Sequence, residues 1–183
     1  GKGKSILHVR DNWTLVYDNG KPFRGVGINL CWESRTHDDS KFFADLHEQH
    51  DRFNYDVMLP DFAANGGNFT RMWMCSWNFP IDRQDNFNNH RYEPTTEYMN
   101  PSVVKHLDHV LNLCEELDIK VMLCMGQGNV RAHREFFNCD EAKTRYRNYL
   151  RYIVARWGYS PAVGMWEFFN EIDNVQHRDP AGV

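Results

Sequence analysis

Arg71, Glu167, Asn170 and Glu171 interrupt otherwise apolar sequence, and charged groups so placed need a chemical reason. In "SPAVGMWEFFNEID", Ser160 to Asp173, Glu167 sits inside an apolar and aromatic run that Asn170-Glu171 closes. Carboxylates are among the residues least often buried without a partner. Arg71 interrupts a second such run, "NFTRMWM" (Asn68–Met74). Residues two apart share a face of an extended strand. Met165, Glu167, Phe169 and Glu171 therefore face one way, and Phe69, Arg71 and Trp73 do so on theirs. If both faces look into one interior, Arg71 reaches Glu167, and a hydrogen-bonded ion pair explains how both charges are tolerated. Asn170 has the opposite parity, so sharing a site with Glu171 requires a kink or bulge at the strand end. An isolated Asn-Glu dipeptide is ordinarily a solvated loop. Placed after a buried strand with Glu167 upstream, it reads as catalytic.

The elements that must position these groups alternate along the chain. "ILHVRDNWTLVYDNGKPF" reads as a short hairpin with its turn at Asp18-Asn19-Gly20, because Asn-Gly supplies the positive φ angles of tight turns. "FRGVGIN" (Phe23–Asn29) is an apolar strand, followed by a polar stretch from Glu33 to Asn54. "DVMLPDFAANGG" reads as a helix ended by Gly66-Gly67, with Pro60 awkward in its interior. After the Asn68–Met74 strand comes a loop rich in Asn, Asp and Pro, to Asn100. Val103, Leu107, Val110, Cys114 and Leu117, with Val104 and Leu111 beside them, mark one face of a helix. "IKVMLCM" (Ile119–Met125) is a continuous apolar run, as in a strand covered on both faces. Tyr146, Leu150, Ile153 and Trp157 mark a further helix, which Ser160-Pro161 ends before the fourth strand.

Strand–helix alternation with apolar strands implies an α/β fold with a parallel sheet covered by helices. A doubly wound nucleotide-binding sheet lacks support, since no GxGxxG or GxxxxGK[ST] opens a helix. A β/α (TIM) barrel is the other closure, and its chemistry sits at the C-terminal strand ends. Polar and aromatic residues gather there: Asn29 and Trp32 after the first strand, Trp73 and Trp77 at the second, Gln127 after the third, Asn170-Glu171 after the fourth. The whole chain, 1–183, reads as a single domain, with residues 1–22 as the N-terminal hairpin.

Composition narrows the function classes. The 183 residues are 42% hydrophobic and 25% charged, an ordinary globular balance. Net charge is −4 with no basic face, which argues against nucleic acid as a partner. No apolar run approaches a membrane span. The first ten residues, "GKGKSILHVR", carry no signal-peptide hydrophobic stretch. The expected location is secreted or periplasmic, with any signal removed. Five cysteines, Cys31, Cys75, Cys114, Cys124 and Cys139, without a CxxC, argue against a disulfide framework and a zinc site. His47 with His50, and His106 with His109, have no convincing third ligand and read as solvated faces, so no metal or cofactor is expected. Six Trp in 14% aromatic residues hint at a pocket for something flat with an apolar face. Trp13, Trp157 and Trp166 are assigned to the core. Trp32, Trp73 and Trp77, at the strand ends, are candidates for stacking against such a ligand.

At these motifs the chain resembles a known family. "WGYSPAVGMWEFFNEID" resembles the fourth strand of retaining glycoside hydrolases with the β/α-barrel fold, above all glycoside hydrolase family 5 and its β-mannanase and cellulase-like members, which read Trp-Glu-x-x-Asn-Glu there. "NGGNFTRMWM" resembles the second strand with its Arg, "DNGKPFRGVGIN" the N-terminal hairpin and first strand, and "AKTRYRNYLRYIVARWGYSP" the third helix. The resemblance implies a hydrolase of β-linked polysaccharide, of mannan or glucan type, using two carboxylates. Glu171 would be the general acid/base, Asn170 would hold the sugar 2-hydroxyl, and Arg71, charge-paired with Glu167, would support the carboxylates. Asn29, Trp32, Trp73, Trp77 and Gln127 would line the substrate site.

The family's nucleophile is a second Glu on strand seven, and a complete barrel takes about 250 residues. This chain is therefore expected to carry the hairpin and roughly the first four β/α units, without the nucleophile, and to be inactive alone. Its expected partners are the polysaccharide and either a missing barrel half or a second copy. The family's His after strand three is not evident in "CMGQG", where Gln127 stands or the loop is rebuilt. The alternative function is a non-catalytic carbohydrate-binding or structural half-barrel.

Overall fold

The computed structural model describes residues 5–11, 13–33, 54–75, 78–82, 99–126 and 139–171. They form β1 (Leu7–Arg10), β2 (Thr14–Tyr17), β3 (Gly27–Ile28), α1 (Tyr55–Ala64), β4 (Phe69–Trp73), α2 (Pro101–Leu117), β5 (Lys120–Cys124), α3 (Asp140–Trp157) and β6 (Val163–Glu167). β1 and β2 pair antiparallel, and β3, β4, β5 and β6 form a parallel sheet in chain order. Sequential parallel neighbours joined through helices are the β/α-barrel arrangement, here the N-terminal hairpin and the first four barrel strands.

Strand parity sorts the sheet into two faces. On β4, Thr70 and Met72 are fully buried under the helices, while Phe69, Arg71 and Trp73 lie half-buried on the other face. Helix periodicity supplies the cover: Val104, Leu107, Val110, Leu111 and Cys114 from α2, and Tyr149, Ile153 and Trp157 from α3, are buried. Leu59, Ile119, Val121 and Leu123 complete this layer with no exposed surface. Each such side chain contributes about 1.5–3 kcal/mol of transfer free energy. α2 starts where Asn100 accepts from the amides of Ser102 and Val103, with Pro101 in the first turn, where its missing N–H costs nothing. Pro60 does lie inside α1, yet the helix runs on to Ala64, anchored by the buried Tyr55 and Leu59.

Three expectations need correcting. The longer ladder, β1 with β2, closes beyond the Arg10–Thr14 pair rather than at Asp18-Asn19-Gly20. The latter turn does form, with Gly20 at φ +77°, but it leads β2 back to a bridge between Val16 and Pro22. Trp13 and Trp166 are exposed rather than core: Trp13 sits at the hairpin tip, and Trp166 points outward from the last described strand. His106 does not face solvent, because its Nε2 lies 3.2 Å from a Glu33 carboxylate oxygen in a nearly closed site, while His109 pairs with Asp56 on the surface.

Lys120, inside a run that reads as apolar, is buried at the N-terminal end of the sheet. Its ammonium donates to the carbonyls of Ser5 and Pro161 (2.7 and 2.6 Å) and lies over the Tyr17 ring, tying the hairpin to the sheet. Burial holds its pKa below the usual lysine value. Among the described residues, no helix is long and apolar enough to cross a membrane.

Candidate active site

The site is built from the C-terminal ends of β4, β5 and β6. Trp73, Cys124 and Glu167 stand level in the register, with Arg71 two residues below Trp73 on the same face. A register shift between Val121 and Met122 places Gly164 as an extra residue on β6. Beyond it, Met165 aligns with Met122 and Glu167 with Cys124, so Glu167 faces Arg71. The guanidinium donates from Nε to Glu167 Oε2 (2.6 Å) and from Nη2 to Oε1 (2.5 Å), a bidentate fork. The same Nη2 donates to Asn170 Oδ1 at 2.7 Å. The Glu167 carboxylate raises the Arg71 pKa further above its already high value.

The parity conflict at Asn170 is resolved at the strand end. The ladder proper stops at Glu167, and Phe168 bends the chain. The Asn170 amide then donates to the Gly126 carbonyl at 2.9 Å, and Glu171 takes a left-handed φ of +49°. That conformation costs a non-glycine residue on the order of 1–3 kcal/mol. Asn170 is thereby buried against Arg71, while Glu171 is exposed at the open end of the sheet.

Trp32 and Trp73 approach with ring centroids 4.9 Å apart, and Arg71 lies 5.3 Å from the centroid of the Trp73 ring. Asn29 is exposed just beyond β3. Trp77 and Gln127 lie outside the described residues. The structure thus brings Arg71, Glu167, Asn170, Trp73 and Trp32 into one connected group, with Glu171 next in the chain.

Two supports were not evident from the sequence. The segment carrying Trp32 is held by buried polar groups. Asn54 donates to the Glu33 carbonyl at 2.7 Å, Tyr55 donates its hydroxyl to the Leu30 carbonyl at 2.9 Å, and Glu33 Oε1 accepts from the Tyr55 amide and meets His106. Asn78 accepts from the Glu33 amide and donates to the Trp73 carbonyl, joining the two Trp-bearing segments. The available signal was Glu33 itself, a carboxylate directly after Trp32. The second support is the contact of Gly126 and Tyr146 with the bend after β6. A β-carbon at Gly126 would stand 2.7 Å from both the Phe168 carbonyl oxygen and the Phe169 ring, so only glycine fits there.

The sequence matches the family model described as Cellulase (glycosyl hydrolase family 5) over residues 16–180. No match is found among curated protein sequences. Among solved structures, the chain is similar to a β-mannanase from the blue mussel Mytilus edulis, with a TM-score of 0.63 at 19% identity. That alignment covers 92% of this chain and 46% of the mannanase. A glycoside hydrolase of family 5 from Bacteroides vulgatus aligns with a TM-score of 0.61 at 16% identity, over 94% of this chain and 34% of that one. The β-glucanase SdGluc5_26A from Saccharophagus degradans, solved with cellotetraose, gives 0.54 at 21% identity, over 98% and 47%. This chain spans less than half the length of each of these structures. The match over most of its sequence, on a β/α-barrel frame with an Asn-Glu at the end of β6, places the chain in glycosyl hydrolase family 5.

Proposed function

We propose that the protein of which this chain is part hydrolyses β-linked polysaccharide, of mannan or glucan type, by a retaining two-carboxylate mechanism. The observation that carries the reading is the chain of hydrogen bonds from Glu167 through Arg71 to Asn170, with Glu171 adjoining at the C-terminal end of a barrel strand. Arg71 occupies Oδ1 of Asn170, which leaves the amide nitrogen as the end that donates to a sugar 2-hydroxyl. Glu171 protonates the glycosidic oxygen as the bond to the leaving sugar breaks, then takes a proton from the water that releases the product.

Glu167 is not assigned as nucleophile, because both of its oxygens are engaged by Arg71 and its role is to hold that side chain. We assign the nucleophile to a carboxylate on a later barrel strand, outside these residues, about 5–5.5 Å from Glu171. Trp32 and Trp73 offer the aromatic surface for the sugar face. The reading is tested by incubating the full-length protein with β-mannan and β-glucan and following the first-formed anomer by proton NMR. Release of the β-anomer is expected. Initial release of the α-anomer, or no cleavage of either polymer, contradicts the reading.

A further inference from the structure

We propose that Tyr146, on the outer helix α3, is a positioning residue for Asn170 and Glu171. The proposal rests on the reading of Glu171 as proton donor. The residues after β6 leave the sheet ladder at Glu167 and must still present Glu171 in an unfavourable left-handed conformation. Something outside the strand has to hold them. Tyr146 donates its hydroxyl to the Phe168 carbonyl at 3.0 Å. Its ring also stacks on Phe169, with centroids 5.3 Å apart and planes within 24° of parallel. Tyr146 also stacks on Tyr149, 5.9 Å away and 18° from parallel, and Tyr149 is buried in the core. Three rings therefore connect the core of α3 to the bend that carries the acid.

Gly126 meets the same bend from β5. Its carbonyl takes the Asn170 amide, and its bare α-carbon lies against Phe168 and Phe169. The bend is fixed between β5 and α3, and Asn170 is fixed again by Arg71. Burial raises the pKa of the Tyr146 hydroxyl, which therefore stays a protonated donor wherever a carboxylic acid works. A hydrogen bond and a ring stack aimed at the two residues before Asn170 have a clear use in orientation, because a small misplacement of a catalytic group costs far more rate than stability.

The test compares Tyr146→Phe, which removes only the hydroxyl, with Tyr146→Leu, which also removes the stack, in the full-length protein. Each is assayed on the polysaccharide and on an aryl glycoside whose leaving group needs no protonation, with Glu171→Gln alongside. For Tyr146→Phe, kcat on the polysaccharide should fall about 3- to 10-fold with KM little changed, and the first-step rate of phenol release from the aryl glycoside, read from the burst, should hold within about 2-fold. Tyr146→Leu should show a larger loss with the same substrate bias. Equal losses in polysaccharide turnover and in the first-step release of phenol, or none in either for Tyr146→Phe, overturn the proposal and leave Tyr146 an ordinary core residue. If Glu171→Gln shows the substrate bias and Tyr146→Phe does not, positioning alone fails. If Glu171→Gln retains full polysaccharide turnover, the acid/base reading fails and the proposal falls with it.

Discussion

The guanidinium of Arg71 clasps both carboxylate oxygens of Glu167 across two strands, 96 residues apart in sequence, and passes a third hydrogen bond to Asn170. One side chain thus couples the middle of β4 to the end of β6. Both partners retain about a fifth of their side-chain exposure, 17% and 21%, on the open face of the described sheet.

Replacing Arg71 with Met should leave Glu167 with a partly buried, uncompensated charge. A loss of about 3 kcal/mol is expected, the lower end of the range for broken buried pairs. Pairing Arg71→Met with Glu167→Leu should recover most of it, since an apolar replacement of both partners removes the stranded charge. Urea unfolding of the two single variants and the double variant measures this. A double variant as unstable as the sum of the singles contradicts the pair.

Gly126→Ala should be costly for a different reason. Its β-carbon would press on the Phe168 carbonyl and the Phe169 ring, so the bend must shift. A destabilisation of about 1–3 kcal/mol is expected, with a larger proportional loss of turnover. Gly20→Ala meets nothing in space, but its φ of +77° is strained for alanine. It should cost about 1 kcal/mol and leave turnover unchanged. Thermal unfolding and kcat of both variants separate the two cases.

Much of this arrangement was legible in the sequence because it follows from periodicity. The apolar runs at Asn68–Met74 and Ile119–Met125 and the 3–4-residue stripes of α2 and α3 left few alternatives to a parallel sheet under helices. Shared parity alone brought Arg71 to Glu167. What was not legible depends on long-range contact. Asn-Gly is the stronger local turn signal, yet the longer ladder is the one that pairs Arg10 with Thr14. Lys120 was hidden in an apolar run because its partners, the Ser5 and Pro161 carbonyls, are backbone groups that no motif announces. His106 looked like a surface residue until Glu33, 73 positions earlier, was brought against it. Trp166 was expected in the core because a Trp in an apolar strand usually packs, but its side of β6 is uncovered among the described residues.

Alkaline pH should weaken the fold through buried acids. Burial pushes the Cys114 thiol up to about 12 and the Cys124 thiol to about 11, from an ordinary 9.0. Buried Tyr55 and Tyr149 are likewise held well above 10.0. A folded-state pKa above the unfolded value favours the protonated, folded form. The contribution is intact below about pH 9 and is lost as the pH rises toward the folded values. Urea midpoints should be flat from pH 7 to 8.5 and decline above 9. Replacing Cys114 and Cys124 together with Ala should make the decline shallower, and an unchanged slope would contradict the assignment.

The 183-residue chain by itself should self-associate. Its described sheet ends on β3 and β6, where Ile28, Trp166 and Phe168 are exposed, and unpaired strand edges beside apolar side chains recruit partners. Light scattering of the purified chain should give a mass above the monomer's, and Trp166→Lys should lower it. A monodisperse monomer would count against a half-barrel with open edges.

Glu171→Gln in the full-length protein separates an acid/base carboxylate from a merely structural one. Turnover on the polysaccharide should fall at least about 100-fold, because the departing sugar oxygen must be protonated. Turnover of an aryl glycoside with a good leaving group should be spared in its first, glycosyl-transfer step, giving a burst of released phenol followed by slow hydrolysis. Loss of the phenol burst as severe as the loss on the polysaccharide, or undiminished cleavage of the polysaccharide, would contradict the role assigned to Glu171.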